Sequence, residues 1–192
     1  MRPADPLRLV RKFRDAGVLL DAQLLLLLLV GEYDRQQVQT FKRTRSRTAL
    51  EDLHQLRLLL APRPKLLVTP HILTEVDNFA DSLRAAESFR GWLRDEVIGH
   101  LFERSVRSQA AARETMFPRL GLADCSAVKL ARARRLVVTK DVDLYIELNR
   151  EQLPVINFHH LRHQAMGLDK EVAAIFNGGS QLPEQDRGPE FS

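Results

Sequence analysis

The chain contains a single cysteine, Cys125. It can form no intrachain disulfide, and a reducing compartment is the simplest setting for it. With Ala123 and Ala127 beside it, Cys125 reads as a small buried hydrophobe. A glycine-rich phosphate loop is missing, which argues against a nucleoside-triphosphatase. Internal repeats are missing too, which sets aside solenoid architectures. So is any apolar run long enough to span a bilayer. Arg2, Arg8, Arg11, Lys12 and Arg14 precede an apolar stretch from Val18 to Val30, in the manner of a secretory leader. Asp21 and Gln23 interrupt that stretch, however, and Glu32 to Arg35 follow where a small-residue cleavage site would stand. An Asp near the centre of a membrane helix costs roughly 2.5–3.5 kcal/mol. A cytoplasmic protein with no membrane partner is expected. Neither Ser126 nor Cys125 stands in a nucleophile setting. Asp21-Ala22-Gln23 lacks the second aspartate that an aspartate-nucleophile phosphatase requires.

What is present fits one soluble globular domain with appendages: 192 residues, 44% hydrophobic and 28% charged. The 29 Lys and Arg exceed the 25 Asp and Glu, for a net charge of +4 and a pI near 9.6. That balance favours a polyanionic partner. Residues 1–16 read as a basic N-terminal arm or short helix with Pro3 and Pro6. Residues 17–177 form the main domain, with a helical insertion around 81–117. The segment 178–192 is rich in Gly, Pro and charge, the composition of a disordered tail.

Within the main domain, short apolar runs alternate with helical patterns. Val18-Leu19-Leu20 reads as a first strand and Leu66-Leu67-Val68-Thr69 as a second. Leu136-Val137-Val138 gives a third and Val155-Ile156 a fourth. Between the first two lies a helix from Ala22 with six consecutive leucines, Leu24 to Leu29, ended by Gly31. Having no polar face, it must be buried on most sides. A second helix covers Thr48 to Ala61, with Thr48 facing Glu51 as a capping box. Pro70 opens the helix that carries Ile72, Leu73, Val76 and Phe79 on its apolar side. Asp81 to Ser108 reads as a long helical region with candidate breaks at Gly91 and Gly99. The helix introduced by Gly121-Leu122-Ala123-Asp124 runs to about Arg135. Alternation of this kind predicts an α/β three-layer sandwich with a central, mostly parallel sheet.

Acids recur at the ends of these strands. Asp21 ends the first, and Glu75 lies about one and a half helical turns beyond the second. Asp141 and Asp143 follow the third, and Asp124 opens the helix leading into it. In a parallel sheet such positions converge on one edge, where α/β proteins bind ligands. Taken alone, Asp124 reads more often as a helix cap, Glu75 as a solvated helix residue, and Asp141 and Asp143 as turn and cap residues. Asp21 is the hardest to explain so, because it interrupts a strongly apolar stretch. Together the carboxylates would repel unless a cation intervened. Hard divalent cations take oxygen donors and assist displacement at phosphorus. The run Phe41-Lys42-Arg43-Thr44-Arg45-Ser46-Arg47 supplies candidate phosphate contacts in Lys42, Arg43, Arg45 and Arg47. His159, His160 and His163 lack a cysteine partner and read as a polar turn or an RNA contact rather than a zinc site.

The ordered set Leu-Leu-Asp21, Thr-Pro-His-Ile-Leu-Thr-Glu75, Gly-Leu-Ala-Asp124 and Val-Val-Thr139-Lys-Asp141 resembles the PIN-domain nucleases, including the VapC-type toxins, over roughly residues 17–158. The resemblance implies a metal-dependent endoribonuclease. Asp21, Glu75, Asp124 and Asp141 would hold Mg2+ or Mn2+, with Asp143 as an auxiliary ligand or a helix cap. Thr139 would orient a carboxylate or a water. RNA is the implied substrate; an antitoxin protein and a homodimer are the implied partners. Where the family's first motif reads Asp-x-Asn, this chain has Asp21-Ala22-Gln23. That difference keeps two alternatives open: a catalytically inactive RNA-binding or protein-interaction module, and an RNA-processing nuclease that is no toxin.

Overall fold

The computed structural model describes residues 5–44, 46 and 48–161. Five strands form one all-parallel sheet: β1 (Val18–Leu20), β2 (Leu66–Val68), β3 (Phe102–Glu103), β4 (Leu136–Thr139) and β5 (Val155–Asn157), in the order β3-β2-β1-β4-β5. Successive residues of a strand face opposite sides of a sheet. All four residues of β4 and all three of β1 are buried, so helices cover both faces. The result is the three-layer α/β sandwich expected, with a fully parallel sheet and one strand more than the apolar runs announce.

The extra strand is β3. It lies at the sheet edge, its two residues are exposed, and it pairs only with Leu67 and Val68 of β2. The long helical region expected over 81–108 is indeed in pieces; of its two candidate breaks, Gly99 falls in a 3-10 turn while Gly91 lies inside a helix. The pieces are α6 (Ala86–Trp92), a π-helical turn (Leu93–Val97), a 3-10 turn (Ile98–His100) and β3, followed by α7 (Ser108–Ala112).

The N-terminal arm belongs to the fold. Helix α1 (Pro6–Lys12) is capped by Asp5 and buries Leu7 and Val10 in the common core. Helix α2 (Ala22–Tyr33) buries most of its leucines and packs against α4 (Ala49–Leu59) and α5 (Pro70–Ala80). Gly31 does not end α2. It sits inside the helix where a Cβ would come within 2.5 Å of Leu53 on α4, so its role is close approach rather than termination. Between α2 and α4 the described residues of the polar segment contain one short helix, α3 (Gln37–Thr40). Thr48 occupies the N-cap position of α4 but its side chain makes no cap hydrogen bond, so the expected capping box does not form. Helix α8 (Phe117–Arg132) is kinked at Gly121, whose φ of 78° and ψ of −173° separate two helical segments. Asp124 therefore sits in the first turn after the kink. Helix α9 (Val142–Arg150) connects β4 to β5.

This strand order fixes where a site can form. From β1 the chain moves outward to β2 and β3, and from β4 it moves the other way to β5. The crevice beyond the carboxyl ends of β1 and β4 is thus a topological switch point, where ligands bind in open α/β sheets. Among the described residues, no helix is long and apolar enough to cross a membrane.

Candidate functional site

At the switch point the strands run directly into helix caps. Asp21 follows β1 and its Oδ1 accepts from the Leu24 amide at 2.7 Å, capping α2. Thr69 follows β2 and caps α5 through its hydroxyl oxygen, which accepts from the Ile72 amide at 3.3 Å. Asp141, two residues beyond β4, caps α9, with Oδ1 accepting from the Leu144 amide at 2.9 Å. Three helix N-termini therefore point at one edge, and their partial positive charge favours carboxylates there.

Thr139 links the two capping aspartates. Its hydroxyl donates to Asp21 Oδ2 at 2.6 Å and accepts from the Asp141 amide at 2.9 Å. Because the hydroxyl has one proton, Asp21 must be the acceptor. The Lys140 amide adds a second donor to the same Asp21 oxygen at 2.6 Å. Asp21 is 4% exposed. Burial pushes its carboxyl up from the usual 3.8, against the opposing pull of Thr139 and the backbone amides.

The remaining two acids are brought in by α5 and α8. Thr69 and Ser126 share a 2.8 Å hydrogen bond. The Ser126 hydroxyl donates to Ala123 O at 2.6 Å, so Thr69 is the donor in that pair. This buried bridge ties the start of α5, which carries Glu75, to the segment of α8 that carries Asp124. The outcome is electrostatic crowding. Asp124 is pushed from 3.8 to about 8, first by burial, then by the charges of Asp141, Asp21 and Glu75. Burial, followed by the charge of Asp21, raises Glu75, while the Arg43 guanidinium pulls it back down. Neither Asp124 nor Glu75 makes a hydrogen bond or ion pair among the described residues.

Asp21, Glu75, Asp124, Asp141 and Thr139 thus come together. Asp143 does not join them: it is exposed on α9 and pairs with Arg119 at 2.9 Å. Of the basic run, Lys42 and Arg43 are exposed. Arg43 lies over the Phe79 ring, 4.6 Å from its centroid, within electrostatic reach of Glu75. Arg45 and Arg47 lie outside the described residues, as does His163. The His159 amide donates to Asn157 Oδ1 at 2.9 Å. His160 meets Tyr145 edge-on with ring centroids 5.5 Å apart.

Three participants were given no role from the sequence. Ser126 supplies the bridge to Thr69. Lys140, whose amide donates to Asp21, sends its side chain to Asp52 in an ion pair at 2.7 Å. Asp52 carried a legible signal: it falls on the same helical stripe as the buried Ala49, Leu53, Leu56 and Leu59, where a carboxylate needs a partner.

As a donor set, four carboxylates at a carboxyl edge suit a hard divalent cation better than a soft one. Among the described residues, no three His, Cys, Asp or Glu side chains are arranged to hold an ion as they stand. Compared with protein-family models, curated proteins and solved structures, the chain matches none.

Proposed function

We propose that this protein is a divalent-metal-dependent endoribonuclease of the PIN-domain kind, using Mg2+ or Mn2+ to hydrolyse RNA phosphodiesters. The observation that carries the reading is Asp124. A carboxyl pushed to about 8 by burial and by Asp141, Asp21 and Glu75 supports a reading in which four acids from separate elements crowd one another, with the Arg43 guanidinium opposing that crowding at Glu75. Perturbed groups of this kind gather at functional sites. Asp124, Glu75 and Asp141 would hold the ion, and Asp21 would sit beneath them. When bound, such an ion lowers the pKa of a coordinated water and neutralises charge at phosphorus.

The chain's own groups do the rest. Thr139 and the Lys140 amide fix the Asp21 carboxylate from below. Through the Asp141 amide, Thr139 also sets the turn that presents Asp141. Arg43, exposed beside Glu75, would take a backbone phosphate approaching the acids, with Lys42 adjoining it. The basic surplus of +4 draws the polyanion in. A toxin paired with an antitoxin protein, and a homodimer, remain further parts of this proposal.

The test is cleavage of single-stranded RNA by purified protein with Mn2+, compared with Asp124→Asn. Cleavage that needs both Mn2+ and Asp124 supports the reading; no cleavage by the wild type, or equal cleavage by the variant, overturns it. A second reading has its own observation. No three acids are arranged to hold an ion, and Gln23 stands exposed in the first motif. An RNA-binding module without catalysis would bind RNA in EDTA and gain no stability from Mg2+.

A further inference from the structure

The ion pair between Lys140 and Asp52 sits at an unexpected place for a cation. The Lys140 backbone amide is 2.6 Å from Asp21 Oδ2, and the residue lies between Thr139 and Asp141 in sequence. A flexible four-carbon stem starting there could carry the ammonium to the crowded carboxylates. It goes instead to α4, where Nζ meets Asp52 Oδ2 at 2.7 Å and lies 5.7 Å from the centroid of the Phe158 ring. Asp52 is 1% exposed, so the carboxylate that attracts the ammonium is itself shut away from water. Losing the ammonium would remove a partner from a buried carboxylate, and such a loss is costly.

We propose that Asp52 is a positioning residue: it holds the Lys140 ammonium away from the four carboxylates and so keeps them open to a divalent cation. Without Asp52, Lys140 turns into the crevice and becomes an internal cation there, competing with the metal for Asp124, Glu75 and Asp141. This rests on the metal-dependent reading of the site and adds to it the means by which self-neutralisation is prevented.

The arithmetic follows from competition. If the ammonium occupies the crevice in roughly nine molecules of ten, the apparent dissociation constant for metal rises about tenfold. The experiment is calorimetric titration of the full chain with Mn2+, for the wild type, Asp52→Asn, Asp52→Glu and the double variant Asp52→Asn/Lys140→Met. Expected are affinity about tenfold weaker in Asp52→Asn, and affinity within about threefold of wild type in Asp52→Glu. In the double variant, which has neither tether nor competitor, affinity should return to the wild-type value. A merely structural role for Asp52 would leave the double variant as weak as the single one. Equal affinity of Asp52→Asn and wild type, or no recovery in the double variant, overturns the proposal. Should Asp52→Asn fail to fold, the double variant decides: affinity retained supports the proposal, affinity lost refutes it. No Mn2+ binding by the wild type instead strikes down the metal reading itself, an outcome visible in a separate arm.

Discussion

Replacing Asp124 by Asn tests the electrostatics of the crevice without invoking catalysis. The Asp124 carboxyl is raised to about 8 in the folded protein, whereas in the unfolded chain it titrates near 3.9. Between those values the folded state binds the extra proton. Stability therefore falls as pH rises, the contribution being complete below about 4 and spent above about 8. For one such group the loss between pH 6 and pH 9 amounts to roughly 2–3 kcal/mol. The neighbouring acids titrate with it, so the slope belongs to the cluster as well as to Asp124. Urea unfolding in EDTA at pH 6, 7.5 and 9 reads it directly. The wild type is expected to lose about 2 kcal/mol across that range through this cluster, and Asp124→Asn to lose far less. Asp143→Asn is the control: Asp143 is exposed and paired with Arg119, so its removal should leave the slope unchanged. Identical pH dependence in wild type and Asp124→Asn would refute the crowding argument. Adding Mn2+ should reverse the trend, because a bound cation favours the ionised acids. At one hundred times the dissociation constant it adds about 2.7 kcal/mol, more readily at pH 8 than at pH 6.

Other perturbations follow from the same geometry. Thr139→Val removes a buried donor from Asp21 and an acceptor from the Asp141 amide, and should cost about 1–3 kcal/mol in urea unfolding; a neutral result would deny the hydroxyl its bridging role. Gly31→Ala puts a methyl 2.5 Å from Leu53 and should destabilise by roughly 1–3 kcal/mol through overpacking of α2 on α4, although alanine is the better helix former; a stabilised variant would contradict that packing. Cys125 is buried, and its thiol is pushed up to about 11, chiefly by that burial. An aromatic disulfide reagent should therefore react with it only on unfolding, and rapid labelling of the native protein would count against its buried placement.

Much of the fold was legible because its strands announce themselves as apolar runs closed by polar residues. Val18–Leu20 and Leu136–Thr139 are the inner strands of the sheet, flanked by Leu66–Val68 and by Val155–Asn157 at the edge; burial on both faces of the inner strands favours apolar side chains at nearly every position. Phe102–Glu103 escaped notice for the converse reason. A two-residue exposed edge strand needs no apolar pattern, and its pairing with β2 is set by tertiary contact. The π-helical turn at Leu93–Val97 is similarly invisible, since helical periodicity does not distinguish a local change of hydrogen-bond register. Gly31 misled because glycine at the end of an apolar run usually means a helix terminus, whereas here it marks where α4 comes closest. Asp52 went unread for a different reason: it stands on the buried stripe of α4, but Lys140, the partner that accounts for it there, is distant in sequence.

The site raises a further point about reading acids at strand ends. Helix cap and functional ligand look like competing explanations for Asp21 and Asp141, yet the structure gives both residues the cap. Each commits Oδ1 to a helix amide. What separates them is the second oxygen. On Asp21 it already accepts from Thr139 and the Lys140 amide, so this carboxylate is a fixed negative charge at the base of the crevice. On Asp141 no hydrogen bond to Oδ2 is present among the described residues. Asp124 and Glu75 are committed to no partner there. Capping therefore fixes the position of the acids, and crowding gives them their chemistry. Hydrogen bonding leaves a carboxylate charged, so even Asp21, with both oxygens engaged, adds to the repulsion that, with burial, raises Asp124 to about 8.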